Sequence, residues 1–312
     1  MAAPRMRVII DNDFSGDPDD LFQLVHHVLS PSVEIRGIIG SHLSPDDPFD
    51  SSSTQAENAV RIAEETLDLL DASGRYPVWL GSNIALASAG EPIESEGARA
   101  IVTEAMRDDT DLPLYVLLGA GFTELASAYL LEPRIAQRLT AIWIGGNEHP
   151  ELASPPPGAG AVEYNLNIDI LAGQVVFNDS PIPLWQVPRN MYRQCLVSHA
   201  ELEARVRPMG PLGEYLARAI DTVVERAAAW GRSLGETYAL GDSPLVLLTA
   251  LQSAFEPDPS SSFHVTKPTP WLNSDGSYIQ MPSSRPMRVY TDLDTRLMFE
   301  DFYLKLRLFA ER

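Results

Sequence analysis

Short apolar runs alternate with amphipathic stretches along nearly the whole chain. Val8, Ile9 and Ile10 make an unbroken apolar run close to the N-terminus, the pattern of a central strand buried on both faces. LFQLVHHVLS (21–30) then repeats at helical spacing, and VEIRGIIGS (33–41) reads as the next strand. The same alternation gives strands at 76–82, 112–122, 140–147 and 183–188, with helices over 58–73, 98–109 and 123–139 between the earlier ones. Residues 199–229 and 241–253 read as helical, and the chain closes on a strand from Pro286 and a helix. Strand after strand stops at glycine: Gly40-Ser41, Gly81-Ser82, Gly119, Gly145-Gly146. This order predicts an α/β fold with an open, mostly parallel (mixed) sheet flanked by helices on both faces, its ligand loops gathered along one edge. The segment 42–55 is too long for a plain connection and reads as a lid or site wall. Segment 148–161, rich in proline and glycine, resembles a linker, but the strand pattern resumes after it, so one domain over residues 1–312 is expected.

Composition narrows the partners. A formal charge of −20 disfavours nucleic acid and anionic membrane surfaces, since both require basic patches and the chain's lysines are only Lys267 and Lys305. No apolar run is long enough to span a bilayer, and MAAPRMRVII passes straight into the first strand, so neither a membrane span nor a signal peptide is expected. The lone Cys195 suits a cytoplasmic protein and reads as a small buried side chain rather than a nucleophile.

The chemistry concentrates in RVIIDNDFSGDPDD, where a buried strand runs into Asp11, Asp13, Asp17, Asp19 and Asp20. Carboxylates this close repel one another unless a cation holds them together, and oxygen ligands favour Ca²⁺ or Mg²⁺. Asp17 before Pro18 also reads as a helix cap. Capping leaves Asp11 and Asp13, at the strand end, unexplained.

With EYN at 163–165, GAGFTELAS from Gly119, GDSPLVLL from Gly241 and the closing VYTDLD, the chain resembles the inosine–uridine-preferring nucleoside hydrolases over essentially its whole length. Their Asp-x-Asp-Pro-Gly-x-Asp-Asp opening is matched by DNDFSGDPDD with two extra residues. The resemblance implies a Rossmann-like fold and Ca²⁺-dependent hydrolysis of a ribonucleoside. It implies Ca²⁺ held by Asp13, Asp20, the carbonyl of Gly119 and Asp242, with Asp13 also the general base. Asp19 and Asn165 would bind the ribose hydroxyls, with Asp242 beside them, and Glu163 the 5′ end. Asp11 is expected to support the site without touching the ion. Family members are commonly dimers or tetramers, so a homodimer or homotetramer is expected.

Several positions depart from the family. Gly241 stands where the family has a histidine regarded as the leaving-group acid, and Ser41, Pro157 and Glu124 replace asparagines. Ser41 is expected to keep a substrate contact and Tyr164 to line the base pocket. His149, Trp271 and Tyr278 are further candidates for the leaving-group side, although His149 reads more simply as a solvated loop residue. His26 and His27 read as structural. Two other readings compete: a ribose- or nucleoside-binding protein that has lost hydrolysis, and a haloacid-dehalogenase-type phosphatase. The second lacks a suitably placed lysine.

Overall fold

The computed structural model describes residues 3–253 and 261–312. Its strands are β1 Arg7–Asn12, β2 Glu34–Gly40, β3 Val78–Leu80, β4 Leu114–Leu118, β5 Leu139–Ile144, β6 Leu184–Val187, β7 Leu196–Ser198, β8 Thr237–Ala239, β9 Phe263–Pro268, β10 Trp271–Leu272, β11 Tyr278–Ile279 and β12 Pro286–Asp292. Eight of them form the main sheet in the order β3-β2-β1-β4-β5-β6-β12-β9, and the two ribbons β7-β8 and β10-β11 stand apart. Within the main sheet every pair runs parallel except β12 with β9 at the edge. The expected open, mostly parallel sheet is therefore present.

Alternation along the strands explains why helices cover both faces. Val8 and Ile10 of β1 enter one core and Ile9 the other; Ile142 and Ile144 of β5 face the first while Ala141 and Trp143 face the second. Val8, Ile9 and Ile10 are wholly buried, and such burial contributes about 1.5–3 kcal/mol per side chain. The first four long helices are α1 Asp19–Val28, α2 Gln55–Leu69, α3 Glu96–Ala105 and α4 Thr123–Leu131, followed by the short α5 Tyr164–Ile168.

The strand order locates the site. From β1 the chain moves outward to β2 and β3, then returns to lay β4 on the other side of β1. The connections after β1 and β4 thus lead in opposite directions, and a crevice opens beyond their carboxyl ends. Asp13 and Gly119 follow those two ends.

Some expectations shift. Helix α1 begins at Asp19 with Pro18 in the capping position and no side-chain cap; Asp17, the expected cap, instead accepts the Tyr238 hydroxyl at 2.6 Å. The stretch 241–253 yields only the short helix Pro244–Leu247, and 199–229 is helical in two pieces, a short α-to-π segment over 199–206 and the helix Gly210–Ala229.

Candidate active site

The crevice holds a cavity of about 250 Å³. Asp13, Asp17, Asp19 and Asp20 enter it from the β1–α1 turn, Gly119 from the end of β4, and Glu163, Tyr164 and Asn165 from the start of α5. Tyr192, Gly241 and Asp242 close the opposite wall, and Phe49 of the 42–55 segment reaches in as expected of a site wall. Of the residues expected to hold the ion, serve as base or bind the substrate, all except Ser41 line this space. A neighbouring cleft of about 440 Å³, bordered by Arg61, Arg218 and Arg226, shares Phe49 with it but none of the expected residues.

The acids are crowded and dry. Burial, then the charge of Asp242, raises Asp13 well above the ordinary carboxylate range. Asp20 is raised by burial and by Asp242, Asp13 and Asp19, and Asp19 by burial and by Asp17, Asp242 and Asp13. Burial pushes Asp17 up to about 6 and Asp242 up to about 7. Asn12 holds the cluster from beneath: its amide nitrogen donates to Asp242 Oδ2 at 2.8 Å and Asp20 Oδ1 at 3.1 Å, and its oxygen accepts the Gly119 N–H at 2.9 Å. Gly119 has to be glycine, because a Cβ there would run into the Asp242 carboxylate. Asp13 Oδ2 and Asp20 Oδ2 are buried without a hydrogen-bond partner. Leaving such oxygens unpaired costs free energy unless something positive meets them. The acids do not form a closed cage: among the described residues, no group of three or more His, Cys, Asp or Glu is placed to hold an ion.

Glu163 differs from its expected part. Its Oε1 accepts from Asn165 N–H at 3.1 Å and the Tyr192 hydroxyl at 2.7 Å, and its Oε2 from Gly146 N–H at 2.6 Å and Leu166 N–H at 3.0 Å. With four donors the carboxylate is saturated, so it caps α5 and ties that helix to β5 and Tyr192 instead of awaiting a sugar hydroxyl. Asn165 spends its amide hydrogens on the carbonyls of Gly119 and Ile144, at 2.9 and 2.8 Å, which binds β4 to β5 beside the cavity.

Ser41 is a correction. It lies at the end of β2 outside the cavity and donates its hydroxyl to Asp11 Oδ1, while Asp11 is buried and raised by desolvation and by the charge of Glu124. Neither residue lines the cavity. His149 is buried, not solvated, between Gln186 Oε1 at 2.8 Å and Lys267 Nζ at 2.6 Å. Tyr278 stacks on Phe177 with ring centroids 5.7 Å apart, and Trp271 stands exposed on β10. None of the three lines the cavity. His26 and His27 are structural, bonded to Asp301 and to Gln23 and Thr249, and Cys195 is wholly buried, its thiol pushed up by that burial.

Sequence reasoning missed Tyr192, Asn12 and Asp47. Asp47 accepts the Tyr164 hydroxyl at 2.7 Å and so latches the 42–55 segment to α5. That segment was legible as a site wall, but nothing in its pattern singled out Asp47. Tyr192 carries no signal beyond following a strand.

The sequence profile of the inosine-uridine preferring nucleoside hydrolases matches residues 8–296. The fold is similar to the purine-preferring ribonucleoside hydrolase from Gardnerella vaginalis (TM-score 0.76, 18% identity, covering 98% of this chain and 99% of that one). It is also similar to the inosine-uridine preferring nucleoside hydrolase from Bacillus anthracis (TM-score 0.66, 15% identity, 97% and 99%). A third similar structure is the type III effector protein XopQ complexed with adenosine diphosphate ribose (TM-score 0.66, 14% identity, 99% and 94%). No curated protein sequence matches the chain. The structural likenesses speak for the fold, and the profile speaks for descent: the chain belongs to the inosine-uridine preferring nucleoside hydrolase family, enzymes that cleave N-glycosidic bonds.

Proposed function

We propose that the protein hydrolyses the N-glycosidic bond of a ribonucleoside, releasing ribose and base, with Asp13 as general base and Ca²⁺ as its metal. One observation carries the reading: Asp13 lines the cavity among Asp19, Asp20 and Asp242, and its Oδ2 has no partner within the protein. Asp13, Asp20, Asp242 and the Gly119 carbonyl are oxygen donors of the kind a hard cation takes; they do not close around an ion as they stand, and the orphaned Asp13 and Asp20 oxygens are the ones that would turn to it. When bound, the ion supplies Lewis acidity toward oxygen and offsets part of the clustered negative charge.

The protein's own groups do the rest. Asp13 takes the proton of the attacking water. Asp19 accepts from the ribose hydroxyls, with Asn165 and Asp242 beside it. The carboxylates surround the sugar as it gains oxocarbenium character, favouring that positive charge. Glu163 serves by fixing Tyr192 and α5. The reading extends to a homodimer or homotetramer in the cytoplasm, which sedimentation and fractionation test.

A second reading, ribose or nucleoside binding without turnover, is supported by Gly241, which offers no side chain to a departing base. The test is reducing-sugar release from purine, pyrimidine and modified ribonucleosides, with Ca²⁺ or with chelator. Release that depends on the cation supports hydrolysis; tight binding with no sugar released from any of them supports the second reading.

A further inference from the structure

Beside the cavity, the cleft of about 440 Å³ has the opposite character. In a chain with 43 acidic and 23 basic residues, its wall carries Arg61, Arg218 and Arg226 and a single acid, Asp50. Asp50 is already held, accepting from Asn58 Nδ2 at 2.8 Å and from Ser52 N–H at 3.0 Å. Arg61, on α2, donates Nη1 to Glu65 at 2.7 Å. Arg218 and Arg226 stand about two turns apart on the helix Gly210–Ala229, with Thr222 midway, so all three share one face. The Thr222 hydroxyl turns back to the Arg218 carbonyl at 3.0 Å, which leaves the guanidiniums as the donors this face offers. Among the described residues neither Arg218 nor Arg226 is paired with a carboxylate; Arg226 makes one long bond, from Nη1 to the Phe49 carbonyl at 3.3 Å. A cleft lined by one sign of charge gathers ions of the other, and the guanidinium fork matches phosphate oxygens two at a time. The rest of the lining is largely apolar: Phe14 and Leu21 are buried, and Ile62, Tyr215 and Val223 half-buried. At Phe49, Val223 and Arg226 the cleft meets a hollow of about 140 Å³ that adds Pro48, Trp230 and Leu234. Trp230 is 60% exposed, a large ring left in water at the end of a basic cleft.

We propose that the cleft and its hollow form a binding site for a nucleoside 5′-phosphate, with the phosphate on Arg61, Arg218 and Arg226 and the base against Trp230. Arginines without counter-charge ask for an anion, and an exposed indole asks for a flat ring; a nucleotide carries both. The site is distinct from the catalytic cavity and does not depend on the hydrolase reading. The turn between β1 and α1 divides the two spaces: Asp13, Asp17, Asp19 and Asp20 line the cavity, whereas Phe14, Ser15, Gly16 and Pro18 line the cleft. The cavity wall offers a phosphate no lysine or arginine, and the cleft offers three arginines.

Calorimetric titration of the full-length protein with adenosine 5′-monophosphate and with inorganic phosphate tests the proposal, in wild type and in Arg218→Gln and Trp230→Ala, with circular dichroism to show that both variants fold. The nucleotide is expected to bind one to one, more tightly than phosphate, and to stay bound in excess ribose. Arg218→Gln should weaken both probes by at least about tenfold, the loss of one hydrogen bond to a charged group. Trp230→Ala should weaken the nucleotide alone, and ribose release from nucleosides should match wild type in both variants. No nucleotide binding at millimolar concentration overturns the proposal. So does binding that Arg218→Gln leaves intact or that ribose displaces, which moves the nucleotide elsewhere. Affinity unchanged by Trp230→Ala overturns the place given to the base, and slowed ribose release in Arg218→Gln assigns the cleft to the substrate instead.

Discussion

Replacing Glu163 by glutamine separates a structural carboxylate from a substrate contact. The side chain keeps its size but exchanges one acceptor oxygen for a donor NH₂. Whichever oxygen is lost, two donors lose their acceptor: Asn165 N–H and the Tyr192 hydroxyl, or Gly146 N–H and Leu166 N–H. The tyrosine hydroxyl can rotate to accept from the new amide, so the first arrangement is the cheaper one. It still sets Asn165 N–H against a donor. Hydrogen bonds to a charged group are worth about 1.5–3 kcal/mol each, and an unsatisfied buried donor costs a similar amount, so the change should cost roughly 3–4 kcal/mol. That is a large part of the roughly 5–15 kcal/mol that stabilises an ordinary domain. Urea unfolding followed by tryptophan fluorescence measures it, and hydrogen exchange at the Asn165 amide should speed up in the variant. A loss below about 1 kcal/mol together with a raised KM would refute the reasoning and return Glu163 to the sugar's 5′ end.

Other consequences can be measured as directly. Gly119→Ala sets a methyl against the Asp242 carboxylate and Asn12 Oδ1; it should cost about 1–3 kcal/mol by overpacking and weaken Ca²⁺ binding by calorimetry, whereas unchanged affinity would count against a cation beside that carbonyl. Ca²⁺ at a hundred times its dissociation constant should stabilise chelator-treated protein by about 2.7 kcal/mol; a melting temperature indifferent to the cation would contradict the metal reading. Burial holds His27 well below its ordinary 6.5, so the unfolded chain takes up the proton first, and the contribution from neutral His27 is lost as pH falls below that value. His27→Gln should therefore flatten the fall in stability on the acid side relative to wild type, and parallel pH curves would show that His27 contributes nothing there. Tyr164→Phe releases Asp47 and so the 42–55 segment; KM should rise more than kcat falls, and a change in kcat alone would show that this latch does not hold substrate.

The sheet is legible because β1, β4 and β5 are buried on both faces and so read as continuous apolar runs, β4 and β5 stopping at glycine and β1 at its aspartates. The edge strand β9 and the ribbons β7-β8 and β10-β11 were not foreseen: they are short, half-exposed or both, and carry no periodic signal. In the site, Asp13, Asp19 and Asp20 were readable because like charges crowd at a strand end. Glu163 was found as a residue but not in its part, since its saturation depends on donors from Gly146 and Tyr192, far away in sequence. Ser41 was misplaced for a related reason: whether a hydroxyl at a strand end turns to the crevice or to the neighbouring Asp11 is decided by packing between β1 and β2. Asp17 reads as a cap because Tyr238, its partner, lies 221 residues away.

The most direct test of the account is ribose release by Asp13→Ala, measured on the best substrate of the nucleoside panel beside wild type, with circular dichroism and calorimetric substrate binding on the same sample. Loss of turnover by at least about 100-fold is expected, in line with the contribution of a general base, in a protein that stays folded and still binds the nucleoside. Turnover at the wild-type rate in the folded variant would contradict the assignment of Asp13 and, with it, the chemistry proposed for the cavity.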